Sequence, residues 1–289
     1  MELTNREIFF LAKEEIKKRD LEVSDSEIVS LLERVNNFKN YTEFSLNFDK
    51  NCANPQYFYD LFNKIINGEP LQYVLKSAPF HDFNLYVDKR VLIPRVETEE
   101  LCLKVLEKLK IFNLKVNTVL DMCTGSGCIA LFIKKNLKDV NVYASDISED
   151  ALDVAIKNAK DNKLAINFIK SDKTDVIIKE SLKFDLLVSN PPYVEKLEDI
   201  EEKVRKYEPL NAIYSKDGTA FYENVFLNYQ KIMNDEFLMA FEINYDQEEK
   251  LTNLIYKYFK KDIEFSFEKD LYGLTRFLFI YRGDKKCKF

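Results

Sequence analysis

Along the first 80 or so positions, apolar residues recur three and four apart; from about position 98 they gather into short continuous runs separated by helical stretches. In the first part, Ile8, Phe9, Ala12 and Ile16 share one face of a helix between Thr4 and Arg19, and Ser24 with Glu27 forms a capping box ahead of IVSLLERV. Asn54 as N-cap, Pro55 at the first helical position and Gly68 after YFYDLFNKIIN bracket another helix. The stretch APFHDFNLYVDKRVLI (78–93) alternates like a β-hairpin. Beyond it, NTVLDM (117–122), VNVYAS (140–145), AINFIK (165–170), FDLLVS (184–189), EFLMAFEI (236–243), DIEFSFE (262–268) and RFLFIYR (276–282) read as strands with helices among them. This alternation predicts an α/β fold, a sheet with helices on both faces and ligand-binding loops at the strand C-termini. The expected division is a helical domain at 1–78, a hairpin linker at 79–97 and an α/β domain at 98–289.

Two loops at predicted strand ends carry candidate chemistry. After NTVLDM the chain reads Cys123-Thr124-Gly125-Ser126-Gly127 and enters the apolar helix CIALFIKKNL (128–137). The chain has only 6 glycines, yet two stand one residue apart here, where absence of Cβ permits a tight turn and close approach of a ligand to the main chain. Asp146 ends the next strand, placed to grip two ribose hydroxyls. NAD remains open on that spacing. The glycine pattern D-x-x-x-G-x-G, lacking a third glycine for a pyrophosphate, suits S-adenosylmethionine better, and Lys134 is too far along for a P-loop. The second loop, Asn190-Pro191-Pro192-Tyr193, follows FDLLVS. Two prolines fix φ and remove donors, holding an amide and a ring in one geometry suited to a planar amide or amine, or simply ending a strand.

Composition narrows the classes. A net charge of −6 and a pI near 5.2 argue against a surface built mainly to hold nucleic acid. The cysteines Cys52, Cys102, Cys123, Cys128 and Cys287 show no metal-like spacing, so reduced thiols and no structural metal are expected. MELTNREIFF lacks a basic leader, and no apolar run reaches membrane-spanning length, so a cytoplasmic protein is expected. The basic tail GDKKCKF (283–289) reads as a frayed end, and the single histidine, His81, as a structural or surface residue.

The chain resembles the bacterial peptide chain release factor glutamine methyltransferases. The resemblance is carried by GEPLQYVL (68–75), VLIPRVETEEL (91–101), LDMCTGSGCIAL (120–131), SDISEDAL (145–152), VSNPPYV (188–194), YEPLNAIYSKDGTAFYENV (207–225), FEINYDQ (241–247) and KDLYGLTRFLFI (269–280), which run in family order over most of the chain. NPPY alone is less specific, being shared with amino-methylating DNA enzymes. The resemblance implies a class I S-adenosylmethionine-dependent methyltransferase, with a Rossmann-like seven-stranded sheet whose last strand is antiparallel. It also implies a helical N-terminal domain that docks peptide chain release factors, and no nucleic-acid substrate.

On that basis the Asn190 side-chain oxygen and the Pro191 carbonyl would accept the N–H groups of a substrate glutamine amide. Pro192 completes the turn and Tyr193 would pack against the substrate plane. Cofactor contacts would come from Asp121, Cys123, Thr124, Gly125, Ser126, Gly127, Asp146, Asp172, Lys173 and Asn190. Asp121 would hold the methionine amino group or satisfy the glycine-loop backbone; Asp146 would bind ribose or serve as a solvated helix N-cap; Asp172 would accept from the adenine amino group or make a turn. Thr98 and Glu99, in the cofactor-side segment of the resemblance, begin a helix whose acids also suit its dipole. Cys123 stands where the family usually has glycine, as in the sister enzymes that methylate a ribosomal-protein glutamine, and Lys173 where it often has an aromatic or apolar residue. That sister activity, a DNA amino-methyltransferase and a non-catalytic adenosine-ligand adaptor are the alternatives.

Overall fold

In the computed structural model of the chain, which describes residues 3–259 and 263–283, the fold divides into two units, Met1–Ser77 and Ala78–Phe289. Cys287 and the tail from 284 onward lie outside the described residues.

The first unit is helical: α1 (Asn5–Arg19), α2 (Asp25–Asn36), α3 (Tyr41–Leu46), α4 (Pro55–Ile66) and α5 (Leu71–Leu75). Side-chain caps set the starts. Thr4 with Glu7 and Ser24 with Glu27 form complete capping boxes, while Asn40 and Asn54 accept from the third residues of α3 and α4. The apolar stripes of α1, α2 and α4 meet in one core of Ile8, Ile28, Leu31, Leu32, Phe58, Leu61 and Phe62, each worth roughly 1.5–3 kcal/mol on burial.

The second unit opens on a hairpin, β1 (Ala78–Phe80) and β2 (Phe83–Leu85), much shorter than the alternation over 78–93 suggested. It ends early because Tyr86 gives its N–H to the Asn158 side chain instead of a partner strand. A tight turn then forms around Asp88, which accepts from the Arg90 backbone and guanidinium. Phe80, Phe83 and Leu85 pack into the α/β core, so the hairpin clusters with this unit.

There follow α6 (Val96–Ile111), β3 (Thr118–Met122), α7 (Cys128–Asn136), β4 (Asn141–Asp146), α8 (Glu149–Asp161), β5 (Asn167–Lys170), α9 (Asp175–Lys179), β6 (Phe184–Ser189), α10 (Glu202–Tyr207), α11 (Ala220–Ile232), β7 (Met233–Glu242), α12 (Glu248–Tyr258), β8 (Glu264–Lys269) and β9 (Thr275–Arg282). The seven-stranded sheet has the order β5-β4-β3-β6-β7-β9-β8, with β9 antiparallel to both neighbours and the pairs among β3 to β7 parallel. All six residues of β6 are buried, as a central strand covered on both faces requires. Val119, Leu186 and Val188 face the core shared with α6 and α7, and Leu120, Phe184 and Leu187 face the one shared with α11 and α12. Strand order reverses between β3 and β6, where an open α/β sheet leaves a crevice. No helix among the described residues is long and apolar enough to cross a membrane.

Candidate active site

The turn after β3 adopts left-handed backbone at three positions: Cys123 (φ 59°), Gly125 (φ 52°) and Gly127 (φ 83°). The two glycines serve different ends. A Cβ on Gly125 would meet nothing within 4 Å, leaving room beside the main chain. One on Gly127 would stand 3.1 Å from the Ala155 Cβ, so this glycine lets α8 approach the turn and does not border the cavity. Cys123 holds a left-handed backbone that strains it where glycine would be relaxed.

Asp121, at the end of β3 and fully buried, braces this turn. Its Oδ2 accepts from Thr124 Oγ1 at 2.6 Å and from the Ala130 N–H of α7 at 3.0 Å, while Oδ1 is buried without a partner. Burial lifts its pKa to about 7. Of the two roles open to it in the sequence, bracing the loop is the one its contacts display, and it is absent from the cavity walls. Asp146 lies on the wall, its Oδ2 accepting from the Gly125 N–H at 3.0 Å and its Oδ1 from Ser148 N–H at 2.9 Å; burial raises its pKa. Ser148, not Asp146, is the N-cap of α8.

These loops enclose a cavity of about 380 Å³. Cys123, Thr124, Gly125, Ser126, Asp146, Asp172, Lys173 and Asn190 all border it. Asp172 also makes the turn into α9, its carbonyl accepting from Asp175 N–H, and its carboxylate pairs with Lys173 at 3.2 Å. The N–H groups of Thr124, Gly125, Gly127 and Ala130 are already bonded to Ser145, Asp146, Thr124 and Asp121. Open space beside Gly125 and an acid with spare lone pairs on the wall form a cradle that fits the uncharged ribose of S-adenosylmethionine.

The turn after β6 forms another wall. Ser189 bonds the Met122 carbonyl at 2.6 Å, tying the two loops together. Asn190 gives its Nδ2 to Thr98 Oγ1 at 2.9 Å, and no group among the described residues donates to its Oδ1. Pro192 borders the cavity, whereas Pro191 is buried behind it. Tyr193 departs from its expected role against a substrate plane: it does not border the cavity, and its hydroxyl donates to Glu242 Oε1 at 2.9 Å. Glu242, the last residue of β7, also accepts from Thr98 Oγ1 at 2.7 Å through Oε2, and burial raises its pKa. Both ends of the turn are thus braced on one buried carboxylate.

Several wall residues were not singled out from sequence. Arg95 pairs with buried Glu208 at 2.6 Å, whose other oxygen accepts from Ile93 N–H; this holds the segment bearing Asn211, Ala212, Tyr214 and Ser215 beside the cavity. The family segments containing Thr98, Arg95, Glu208 and Glu242 were the available signal. His81 sits in the hairpin turn, its Nε2 3.0 Å from the Glu99 carbonyl oxygen and its ring against Phe132, a structural placement.

Residues 98–251 match the family described as Methyltransferase small domain. The chain is similar to release factor glutamine methyltransferases of Flavobacterium psychrophilum (38% identity, 73% of this chain and 74% of that one) and Streptococcus pneumoniae (37%, 79% and 80%). Its fold is shared with the solved T. thermophilus 16S rRNA N2 G1207 methyltransferase in complex with AdoMet and guanosine, at TM-score 0.51 and 17% identity over 72% of this chain and 50% of that one.

Proposed function

Because this chain belongs to the release factor glutamine methyltransferase family, we propose that it transfers a methyl group from S-adenosylmethionine to the side-chain amide nitrogen of the glutamine in the Gly-Gly-Gln loop of peptide chain release factors. The observation that carries this reading is the Asn190 oxygen, an acceptor held on the cavity wall without a donor.

When bound, S-adenosylmethionine supplies an electrophilic methyl group. Asp146 and the open face of Gly125 are suited to its ribose, and Asp172 with Lys173 to its adenine end. The protein's harder task is the amide, whose nitrogen lone pair is delocalised into its carbonyl. Asn190 Oδ1 accepts an amide N–H group, fixing the nitrogen and favouring charge accumulation there. Pro191 and Pro192 bring no backbone N–H to compete for that acceptor. A strong base is unnecessary, because the amide proton becomes acidic only as the new N–C bond forms, and it then leaves to solvent. Glu242 is fully occupied by Thr98 and Tyr193, and His81 by the Glu99 carbonyl.

The helical unit docks the protein substrate, its exposed Phe10, Tyr41 and Leu46 being side chains available to a protein surface. The enzyme works in the cytoplasm, where release factors meet ribosomes, and the net charge of −6 supports a protein substrate over nucleic acid. Incubation of the purified protein with labelled S-adenosylmethionine and release factor should label the Gly-Gly-Gln peptide. Label instead on ribosomal protein or unmethylated DNA would overturn the assignment.

A further inference from the structure

The hydrogen bonds behind Asn190 run in one direction. Glu242, 1% exposed and joined to Thr98 and Tyr193 through its two oxygens, accepts from both hydroxyls when ionised. A hydroxyl has one proton, and that of Thr98, 2% exposed, is committed to Glu242 at 2.7 Å. The Thr98 oxygen can therefore only accept from Asn190, across 2.9 Å. An amide that offers its NH2 to Thr98 must present its oxygen on the opposite edge. The Tyr222 hydroxyl bonds the Glu242 backbone carbonyl at 2.7 Å, anchoring the far end of this chain of bonds.

We infer that Thr98 and Glu242 are positioning residues that set the polarity of the substrate site, forcing Asn190 to show an acceptor to the incoming amide and so selecting glutamine over glutamate. This rests on the proposed release-factor reading. Freed of that constraint, Asn190 can turn its NH2 toward the cavity, where it opposes the substrate's own N–H donors and welcomes a carboxylate. Polarity, not only shape, then rejects a glutamate in the same loop.

The test compares parent enzyme, Thr98→Ser and Thr98→Val, using intact release factor and a release factor whose loop glutamine is replaced by glutamate. Methyl transfer, binding of each factor and binding of S-adenosylhomocysteine are measured. The parent should methylate the glutamine factor and bind it about 100-fold more tightly than the glutamate form. Thr98→Ser should keep that preference within about threefold; Thr98→Val should lose about tenfold or more of it, with transfer falling to match and S-adenosylhomocysteine binding unchanged. A purely structural role for Thr98 would weaken both factors equally and leave the ratio intact, overturning the inference, as would a serine variant as impaired as the valine one. Should the valine variant not fold, Thr98→Ala replaces it with the same expected loss. No transfer by the parent enzyme overturns the reading beneath and this inference with it, whereas transfer with an unmoved ratio overturns this inference alone.

Discussion

The turn after β3 and the turn after β6 close the same cavity, yet they treat their polar groups in opposite ways. In the glycine turn the Thr124, Gly125 and Gly127 N–H groups are bonded internally, to Ser145, Asp146 and Thr124, and the orphaned atom, Asp121 Oδ1, is buried away from the cavity walls. In the Asn-Pro-Pro-Tyr turn the buried acid, Glu242, has both oxygens bonded, and the group left without a donor is the Asn190 oxygen on the wall. One turn gives shape; the other gives an acceptor. A cofactor that is already reactive needs a shaped cradle, while an unreactive amide needs aimed polarity.

The contrast breaks most severely at Asn190. Asn190→Ala should lower methyl transfer by about 100- to 1,000-fold while S-adenosylhomocysteine binding changes only a few-fold, read by single-turnover transfer beside calorimetric titration. Comparable losses in both would mean the two turns do not divide their work.

Within the glycine turn, Gly127→Val should destabilise the fold by about 2–4 kcal/mol in denaturant unfolding, since it combines a disfavoured φ with a Cβ 3.1 Å from Ala155. Gly125→Ala should cost only about 1 kcal/mol, because nothing lies within 4 Å of its Cβ, and should act mainly on cofactor affinity. Equal stability losses would contradict the separate roles given to these glycines.

Asp121 sharpens the comparison through pH. Its folded pKa of about 7 exceeds the ordinary 3.8, so its contribution to stability is fully present below about pH 4 and is lost as pH rises toward 7. Across that window Asp121→Asn should gain on the parent by about 1 kcal/mol per pH unit and level off above pH 7, in ligand-free unfolding curves. A pH-independent difference would show the carboxyl to be ionised throughout. Cys123→Gly should have the smallest effect: relief at φ 59° nearly offsets the added freedom of the unfolded chain, for a net change within about 0.5 kcal/mol.

Legibility in the sequence followed the range of the interactions. FDLLVS coincides with β6 because burial on both faces writes a continuous apolar run, and the Ser24 capping box is a local contact three residues wide. The helices Tyr41–Leu46 and Leu71–Leu75 were missed, being too short for a period to emerge. The strand-like pattern after Leu85 misled because Asn158, 72 residues from Tyr86, captures its backbone. The candidate site divides in the same way. Glycines and prolines advertise their turns, but Thr98 and Glu242 are 144 residues apart, and only the folded sheet brings them behind Asn190, which is why Tyr193 was expected on the cavity wall instead of on Glu242.

The most direct test is a crystal structure with S-adenosylhomocysteine and a release factor whose loop glutamine is in place. The substrate amide nitrogen should lie about 3 Å from Asn190 Oδ1, with Asn190 Nδ2 still on Thr98. An Asn190 side chain turned from the amide, or meeting it with its NH2, would contradict the account.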